Sequence, residues 1–326
     1  MTEINLEKAY LTITGNCNLK CDYCYLDKNK KRDLSTNDWK KIIIILSKNG
    51  VNWVQLTGGE PLIRPDFWDI LNFSHENFNK IIIATNATLI NKKAIEYLSK
   101  FEKILVYISL NNWVEEKSYN SENNIFAKKI KTIKKLKNIG IDVVVSTTVS
   151  NNNFRDLPKI LSYTHKNDIN QRLNFISLYG RATKDLLDPV TKRYLEKFKE
   201  NKEKKTINAI PNCSAGFKNI SVLENGDVTP CVILRDKQYV GGNILKDDIG
   251  NIYNSNVFNK WREQISFIDE KCKRCQMFDK CKGGCPARRI SYSKIYGKQV
   301  LVDAGICAWN ESFEKLGLEM RIQGWE

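Results

Sequence analysis

The sequence predicts an α/β protein: a partial (β/α)6 barrel over residues 1–205, followed by a small cysteine-rich α+β domain over 206–326. Three observations carry this. β-rich runs alternate with amphipathic helical segments six times between residues 8 and 180. The alternation stops at a polar, charged stretch, "ENKEKKT", which suits a domain boundary. The ten cysteines are split, three before residue 25 and seven from Cys213 onward.

"KAYLTIT" at 8–14 alternates and reads as the first strand, ending at a cysteine loop. "LSTNDWKKIIIILSKNG" predicts a helix with Ser35 at its N-cap and Gly50 at its stop. "WVQLTG" is the second strand, "PDFWDILNFS" a short helix, "KIIIATN" the third strand, "NKKAIEYLSKF" a helix and "ILVYISL" the fourth strand. In "NIFAKKIKTIKKLKNIG", Phe126, Ile130, Ile133, Leu136 and Ile139 share one face, which leaves the lysines outside. "IDVVVSTTV" is the fifth strand, 154–166 a helix and "RLNFISL" the sixth strand. Such alternation implies parallel strands covered by helices. Six units are too few to close an eight-stranded TIM barrel, so an open, TIM-like one is expected, with its site at the C-terminal strand ends. Beyond a helix near 190–203, "ISVLENGDVTPCVIL" reads as a β-hairpin with Asn225-Gly226 at its turn, and four closely spaced cysteines follow.

Hydrophobic residues make up 42% of the 326, a normal globular share. No apolar run approaches a membrane span, the longest conspicuous one being Ile42 to Leu46. The first residues carry acids and alternate, reading as a strand rather than a signal peptide, so a cytoplasmic protein without a membrane partner is expected. In that compartment ten cysteines point to metal or redox chemistry rather than disulfides. The net charge of +15 accompanies abundant Lys, Asn and Ile. Its basic runs, at 28–32 and in the helix after the fourth strand, read as solvated surface or as attraction for an acidic peptide. A nucleic-acid partner is not expected. His75 and His165 read as solvent-facing.

Cys17-x3-Cys21-x2-Cys24 can ligate three irons of a [4Fe–4S] cube, which normally takes four thiolates, leaving the fourth iron open. The Cys272-x2-Cys275 spacing of the C-terminal set suits zinc as well as iron.

The early cysteine motif, followed by Tyr25 after the first strand, resembles the signature of radical S-adenosylmethionine (SAM) enzymes. Thr57-Gly58-Gly59-Glu60-Pro61 at the end of the second strand is similar to that family's "GGE" motif. The resemblance implies a [4Fe–4S] cluster on Cys17, Cys21 and Cys24 whose open iron chelates SAM, with Gly58, Gly59 and Glu60 at the methionine amino group. Tyr25 would then contact the adenine side, and Ser109 the ribose or carboxylate. Asn111-Asn112 stand where many relatives have Ser-x-Asp-Gly, and the arginine often found shortly after is missing. Asn86 in "ATNAT" matches a common "TNG", with helix capping the competing role.

The seven later cysteines resemble the SPASM extension, which holds two auxiliary [4Fe–4S] clusters. By that resemblance Cys272, Cys275, Cys281 and Cys307 ligate the outer one, and Cys213, Cys231 and Cys285 the inner one. All ten cysteines are thereby used, for three clusters in total, and the inner cluster lacks a fourth thiolate.

The implied function is oxidative modification of a ribosomally made peptide or protein, such as a thioether or carbon–carbon cross-link. The electron donor would be a flavodoxin or ferredoxin. With the barrel beginning almost at once, leader recognition would fall to the barrel mouth or a separate partner. Oxidation of a small molecule, such as a sugar or a porphyrin side chain, is the alternative, and a metal-bound RNA-binding module a more remote one. With no thiol left over, epimerisation is disfavoured. Without a carboxylate beside Cys231, sulfatase-type maturation is less attractive.

Overall fold

A computed structural model describes residues 4–26, 32–114, 124–197, 206–208 and 213–315. The expected boundary at 205/206 and most of the basic run at 28–32 lie outside the described residues. The first half alternates strictly: β1 (Lys8–Thr14), α1 (Thr36–Lys48), β2 (Trp53–Gly58), α2 (Phe67–Asn77), β3 (Lys80–Thr85), α3 (Lys92–Leu98), β4 (Ile104–Ser109), α4 (Ile125–Asn138), β5 (Asp142–Val149), α5 (Leu157–Lys166) and β6 (Asn170–Phe175). After α6 (Pro189–Lys197) come β7 (Thr206–Asn208), β8 (Asn219–Val222), β9 (Asp227–Thr229) and β10 (Gly242–Asn243). The chain continues through α7 (Ile249–Tyr253), α8 (Asn256–Ser266), β11 (Phe267–Asp269), α9 (Phe278–Cys281), α10 (Pro286–Tyr296) and α11 (Ala304–Lys315).

Local chemistry sets the helix ends. Ser35 caps α1 by accepting from the Asp38 N–H, while the Asp38 carboxylate accepts from the Ser35 N–H. Trp39, Ile42, Ile43 and Leu46 then fall on one face and pack on Ala9, Leu11 and Ile13 of β1. Strand alternation sends Tyr10, Thr12 and Thr14 to the opposite face. The register puts Gln55, Tyr107, Ser109, Ser146 and Arg172 on that same face. Toward the strand ends the inner face of the open barrel is therefore largely polar, although Ile82, Leu105 and Val144 share it, and the Arg172 guanidinium lies 5.6 Å from the Tyr107 ring centroid.

Strands β1 to β6 pair in chain order, each neighbour parallel, and β6 does not return to β1. Instead β8 pairs parallel to β1, from Lys8↔Asn219 to Leu11↔Val222, and carries β9 and β10 with it. The sheet thus continues into the cysteine-rich half and covers what would be an open edge. Beyond the other end, α10 grips the exit of β6. Arg288 Nη1 donates to the Phe175 carbonyl (2.9 Å), the Tyr292 hydroxyl to the Ile176 carbonyl (2.7 Å), and the Leu178 N–H to Ser291 Oγ (3.1 Å). The C-terminal half therefore holds both ends of the open barrel.

Some details differ from the sequence reading. The hairpin does turn at Asn225-Gly226, as read, but its turn takes in Glu224 as well, because the Leu223 N–H donates to the Asp227 carbonyl (2.8 Å) and only Gly226, at φ +88°, is left-handed. On α4, Ile139 is 41% exposed while Thr132 is buried. Lys129 turns inward rather than outward, since its carbon stem lets a partly buried cation reach a carbonyl. His75 is not solvent-facing: its ring packs edge-on against Phe101 at 5.0 Å.

Because β8 is stitched to β1 and α10 to β6, the two halves should unfold as one cooperative unit. Calorimetry is expected to show a single transition; two resolved transitions would contradict this. The buried Arg288–Asp303 pair (2.6 Å) ties α10 to the start of α11. Asp303→Ala should cost about 3–5 kcal/mol, read from the denaturant midpoint.

Candidate active site at the strand ends

The site is built where β1, β2, β3, β4 and β6 end. Asp33 anchors the start of the cysteine loop: its carboxylate accepts from Thr14 Oγ1 (2.5 Å), the Gly15 N–H (2.9 Å) and Asn16 Nδ2 (3.1 Å). The exit of β2 is sewn to this loop, the Gly59 N–H donating to the Thr14 carbonyl (2.9 Å) and the Glu60 N–H to the Asn16 carbonyl (2.8 Å). This seam has no room for side chains. A Cβ on Gly58 (φ +152°) would stand 2.3 Å from the Thr14 oxygen, and one on Gly59 2.1 Å from the Asn16 oxygen. The loop's far end is clamped by the β6 exit, where the Arg181 N–H donates to the Cys24 carbonyl (2.9 Å). Cys17, Cys21 and Cys24 sit half-buried between these clamps.

Glu60 is fully buried, and burial pushes its carboxyl pKa up. Hydrogen bonds oppose that shift, from Thr85 Oγ1 (2.7 Å), the Asn86 N–H (2.7 Å) and the Leu62 N–H (3.2 Å). Asn86 therefore joins β3 to the β2 exit, and its Nδ2 donates to Asn18 Oδ1 (3.0 Å) and lies 3.9 Å from Cys17 Sγ. It does not cap a helix: Asn91 caps α3, accepting from the Ala94 N–H (2.9 Å). Next to Asn86, Ala87 stands in the left-handed region at φ +61°, a conformation that costs a non-glycine residue energy.

At the β4 exit, Asn111 Oδ1 accepts from the Thr148 N–H (2.8 Å) and its Nδ2 donates to the Tyr23 hydroxyl. That side chain thus ties the cysteine loop, at one end, to β5, at the other. Ser109 ends β4 on the inner face, and its carbonyl accepts from Lys129 Nζ (2.8 Å). Burial lowers the Lys129 pKa, opposed by the negative potential of Cys21 and Glu60. Sequence reasoning passed over Lys129 because the helical wheel of α4 puts its backbone among solvent-facing lysines. Tyr25 bonds to Thr57, and burial pushes its phenol up to about 12 despite Arg235 nearby.

The later cysteines spread over three apolar clusters, with Cys272, Cys275, Cys281 and Cys307 close enough to influence one another electrostatically. Cys213, Cys231 and Cys285 share one apolar cluster with Tyr179, Ala215 and Trp261. Cys272 and Cys307 sit in a second cluster, Cys281 in a third, and Cys275 is exposed. No disulfide joins any of the ten. Burial pushes the Cys213 and Cys281 thiols up to about 12, and Cys231 and Cys307 well above their ordinary range. Among the described residues, no three His, Cys, Asp or Glu side chains converge as a single-ion site. A cube is held differently, by thiolates spread over its separate corners. Thiol donors on glycine-lined loops fit such a group.

Two tests follow from this geometry. Gly59→Ala should push the seam apart, costing about 1–3 kcal/mol and lowering the iron retained at the first loop, by thermal melts and iron analysis. In cluster-free protein, raised thiol pKa values mean that the folded state keeps protons the unfolded state loses. Stability from Cys213 and Cys281 is then fully present below pH 9.0 and lost as pH rises toward about 12. The Cys213→Ser/Cys281→Ser variant should show a shallower alkaline decline in melting temperature; an identical decline would contradict the assignment.

Residues 11–164 match the radical SAM superfamily, and residues 213–276 match the SPASM iron–sulfur cluster-binding domain. The chain is 31% identical to the antilisterial bacteriocin subtilosin biosynthesis protein AlbA of Bacillus subtilis, over 94% of this chain and 72% of that protein. It is 26% identical to the mycofactocin maturase MftC of Mycolicibacterium smegmatis, over 85% of this chain and 77% of the other. Its fold matches Streptococcus suis SuiB, solved bound to precursor peptide SuiA, with a TM-score of 0.64 at 20% identity, covering 88% of this chain and 73% of that one. The chain belongs to the radical SAM superfamily and carries a SPASM iron–sulfur cluster-binding domain.

Proposed function

We propose that this protein is a maturase that cleaves SAM reductively and oxidises a ribosomally made peptide, forming a cross-link such as a thioether or carbon–carbon bond. The observation that carries this reading is the match to AlbA over 94% of the chain, barrel and cysteine-rich domain together. The maturase name of MftC and the precursor peptide bound to SuiB point the same way.

Cys17, Cys21 and Cys24 would hold a [4Fe–4S] cluster with one iron left for SAM. Bound there, cluster and nucleotide supply the hydrogen-abstracting 5′-deoxyadenosyl radical. Gly58 and Gly59 let the backbone approach the methionine moiety, and Glu60 sets a buried negative charge opposite its ammonium. Lys129 takes the part of the missing arginine, facing the carboxylate. Tyr25 would contact the adenine side, Asn86 and Asn111 would position the loop around the nucleotide, and Ser109 would offer a hydroxyl to the ribose. The barrel wall excludes water from the radical.

Hydrogen abstraction leaves a radical on the peptide. Closing a bond from it to a thiol or a neighbouring carbon releases one proton and one electron. Cys213, Cys231 and Cys285 would hold an inner [4Fe–4S] cluster to take that electron, with an outer one on Cys272, Cys275, Cys281 and Cys307, three clusters in all. The net change is loss of two hydrogen atoms, an oxidoreductase reaction. A flavodoxin or ferredoxin would supply the first electron.

Anaerobically reconstituted protein should carry about twelve irons and release 5′-deoxyadenosine when given dithionite and SAM. Co-expression with a short peptide encoded beside it should yield a product lighter by two hydrogens per modification. Absence of the nucleoside would refute the chemistry; nucleoside formation that peptide never stimulates, with no mass change, would refute the peptide. Lys129→Met should weaken SAM binding about ten-fold or more with iron content intact, and Lys129→Arg should restore it. Unchanged affinity in Lys129→Met would remove Lys129 from the site.

A further inference from the structure

Helix α10 opens with Cys285 at its N-cap and carries Arg288 and Arg289 just inside. Both are nearly inaccessible, at 3% and 4% exposure. Cations are ill placed here twice over, since burial strips their hydration and a helix N-terminus is itself positive. Something negative must offset them.

For Arg288 the partner is plain. Asp303, fully buried, accepts from its Nε (3.0 Å) and Nη2 (2.6 Å), so this charge is cancelled locally. Asp303 also accepts the Cys285 N–H (2.7 Å). Arg289 differs. Its Nη1 donates to the carbonyls of Phe267 (3.0 Å) and Leu301 (3.1 Å), and its Nη2 to that of Ile265 (3.2 Å). These are dipoles, not charges. Among the described residues no carboxylate pairs with it, and its Nε, buried, has no partner. A Cβ on Gly283, midway between Cys281 and Cys285, would lie 3.6 Å from Nη1. Burial lowers its pKa, while Asp303, Cys285, Cys272 and Cys213 hold it up. Its electrostatic neighbours therefore come from both cysteine groups.

We propose that Arg289 is the shared counter-charge of the two auxiliary clusters, raising the reduction potential of each. The inference rests on the reading that both cysteine groups hold [4Fe–4S] clusters. A cube held by three thiolates carries net charge minus one when oxidised, and one held by four carries minus two. Each gains one further negative charge as it takes an electron. A fixed cation felt by both stabilises the reduced form more than the oxidised form, through an interior that screens it weakly. Because one guanidinium serves both, its removal must move both potentials in the same direction. That arrangement keeps the inner cluster a competent acceptor for the substrate's electron and the outer one a competent next stop.

The test uses full-length, anaerobically reconstituted protein in which Cys17, Cys21 and Cys24 are replaced by alanine, so that only auxiliary signals remain. Iron analysis comes first: fewer than about eight irons per chain there defeats the two-cluster reading itself, whatever Arg289 does. Given both clusters, EPR-monitored titration with dithionite should find both midpoints of Arg289→Gln displaced negatively. A ten-fold change in each reduction equilibrium is expected, 59 mV for one electron. Arg289→Lys, which keeps the charge, should stay near the parent. If Arg289→Gln loads poorly, a counter-charge requires that Arg289→Lys restore loading. Unmoved midpoints in a fully loaded Arg289→Gln protein, a shift of only one cluster, or failure of lysine to restore what glutamine loses would each overturn the proposal.

Discussion

The candidate site depends on one backbone seam. Gly58, Gly59 and Glu60 leave β2 so close to Thr14–Asn16 that main chain meets main chain, with the Gly59 N–H 2.9 Å from the Thr14 carbonyl. That contact fixes where the first cysteine loop starts, relative to a wholly buried carboxylate. Glu60 passes the constraint to β3 through Thr85 and Asn86, and Asn86 returns it to the loop through Asn18. The hydrogen bonds run in a closed circuit, so displacing one member disturbs the rest. Ala87, held at φ +61° beside Asn86, indicates that the surrounding structure fixes a conformation its own residue disfavours.

The second constraint is topological. Six parallel strands leave an open sheet with two ends to manage. The cysteine-rich half supplies β8 to the first strand and α10 to the exit of the sixth. Cys213, Cys231 and Cys285 are thereby carried up to the barrel mouth, packed against Tyr179 from the β6 exit. Electrostatics follow from that packing: Arg288 is paired directly with Asp303, whereas Arg289 bonds only to carbonyls and feels the charge of Asp303 and then of thiols from both groups. Under the proposed function, fold and redox chemistry are coupled, because the elements that close the sheet also carry the cysteines that would ligate the auxiliary clusters.

Much of this was legible in the residues. The strand "KAYLTIT" and the helix capped at Ser35 follow from alternation and from a capping box, both local signals. The GGE glycines were legible because close backbone approach admits no other residue. What escaped were contacts set at a distance. Nothing within "ISVLENG" says that it will pair with β1, since that hydrogen-bonding edge is shared with residues more than 200 positions away. Lys129 looked like one more solvated lysine, and only the distance of its ammonium from the Ser109 carbonyl distinguishes it. Arg289 likewise gave no sign in sequence of being a buried cation bonded to carbonyls, with no described carboxylate paired to it. Asn86 and Asn111 were legible as candidate site residues, but not the hydrogen bonds by which they tie the cysteine loop to β3 and β5.

The central claim is that Cys17, Cys21 and Cys24 hold a cube with one corner left open for SAM. The most direct measurement is the EPR spectrum of the dithionite-reduced protein, recorded with and without SAM. A low-temperature signal of a reduced cube that shifts when SAM is added, and is missing from the Cys21→Ala variant, is the expected result. Signals of the auxiliary clusters stay in that variant; a spectrum with no component that responds to SAM, or one identical in Cys21→Ala and the parent, would contradict the account.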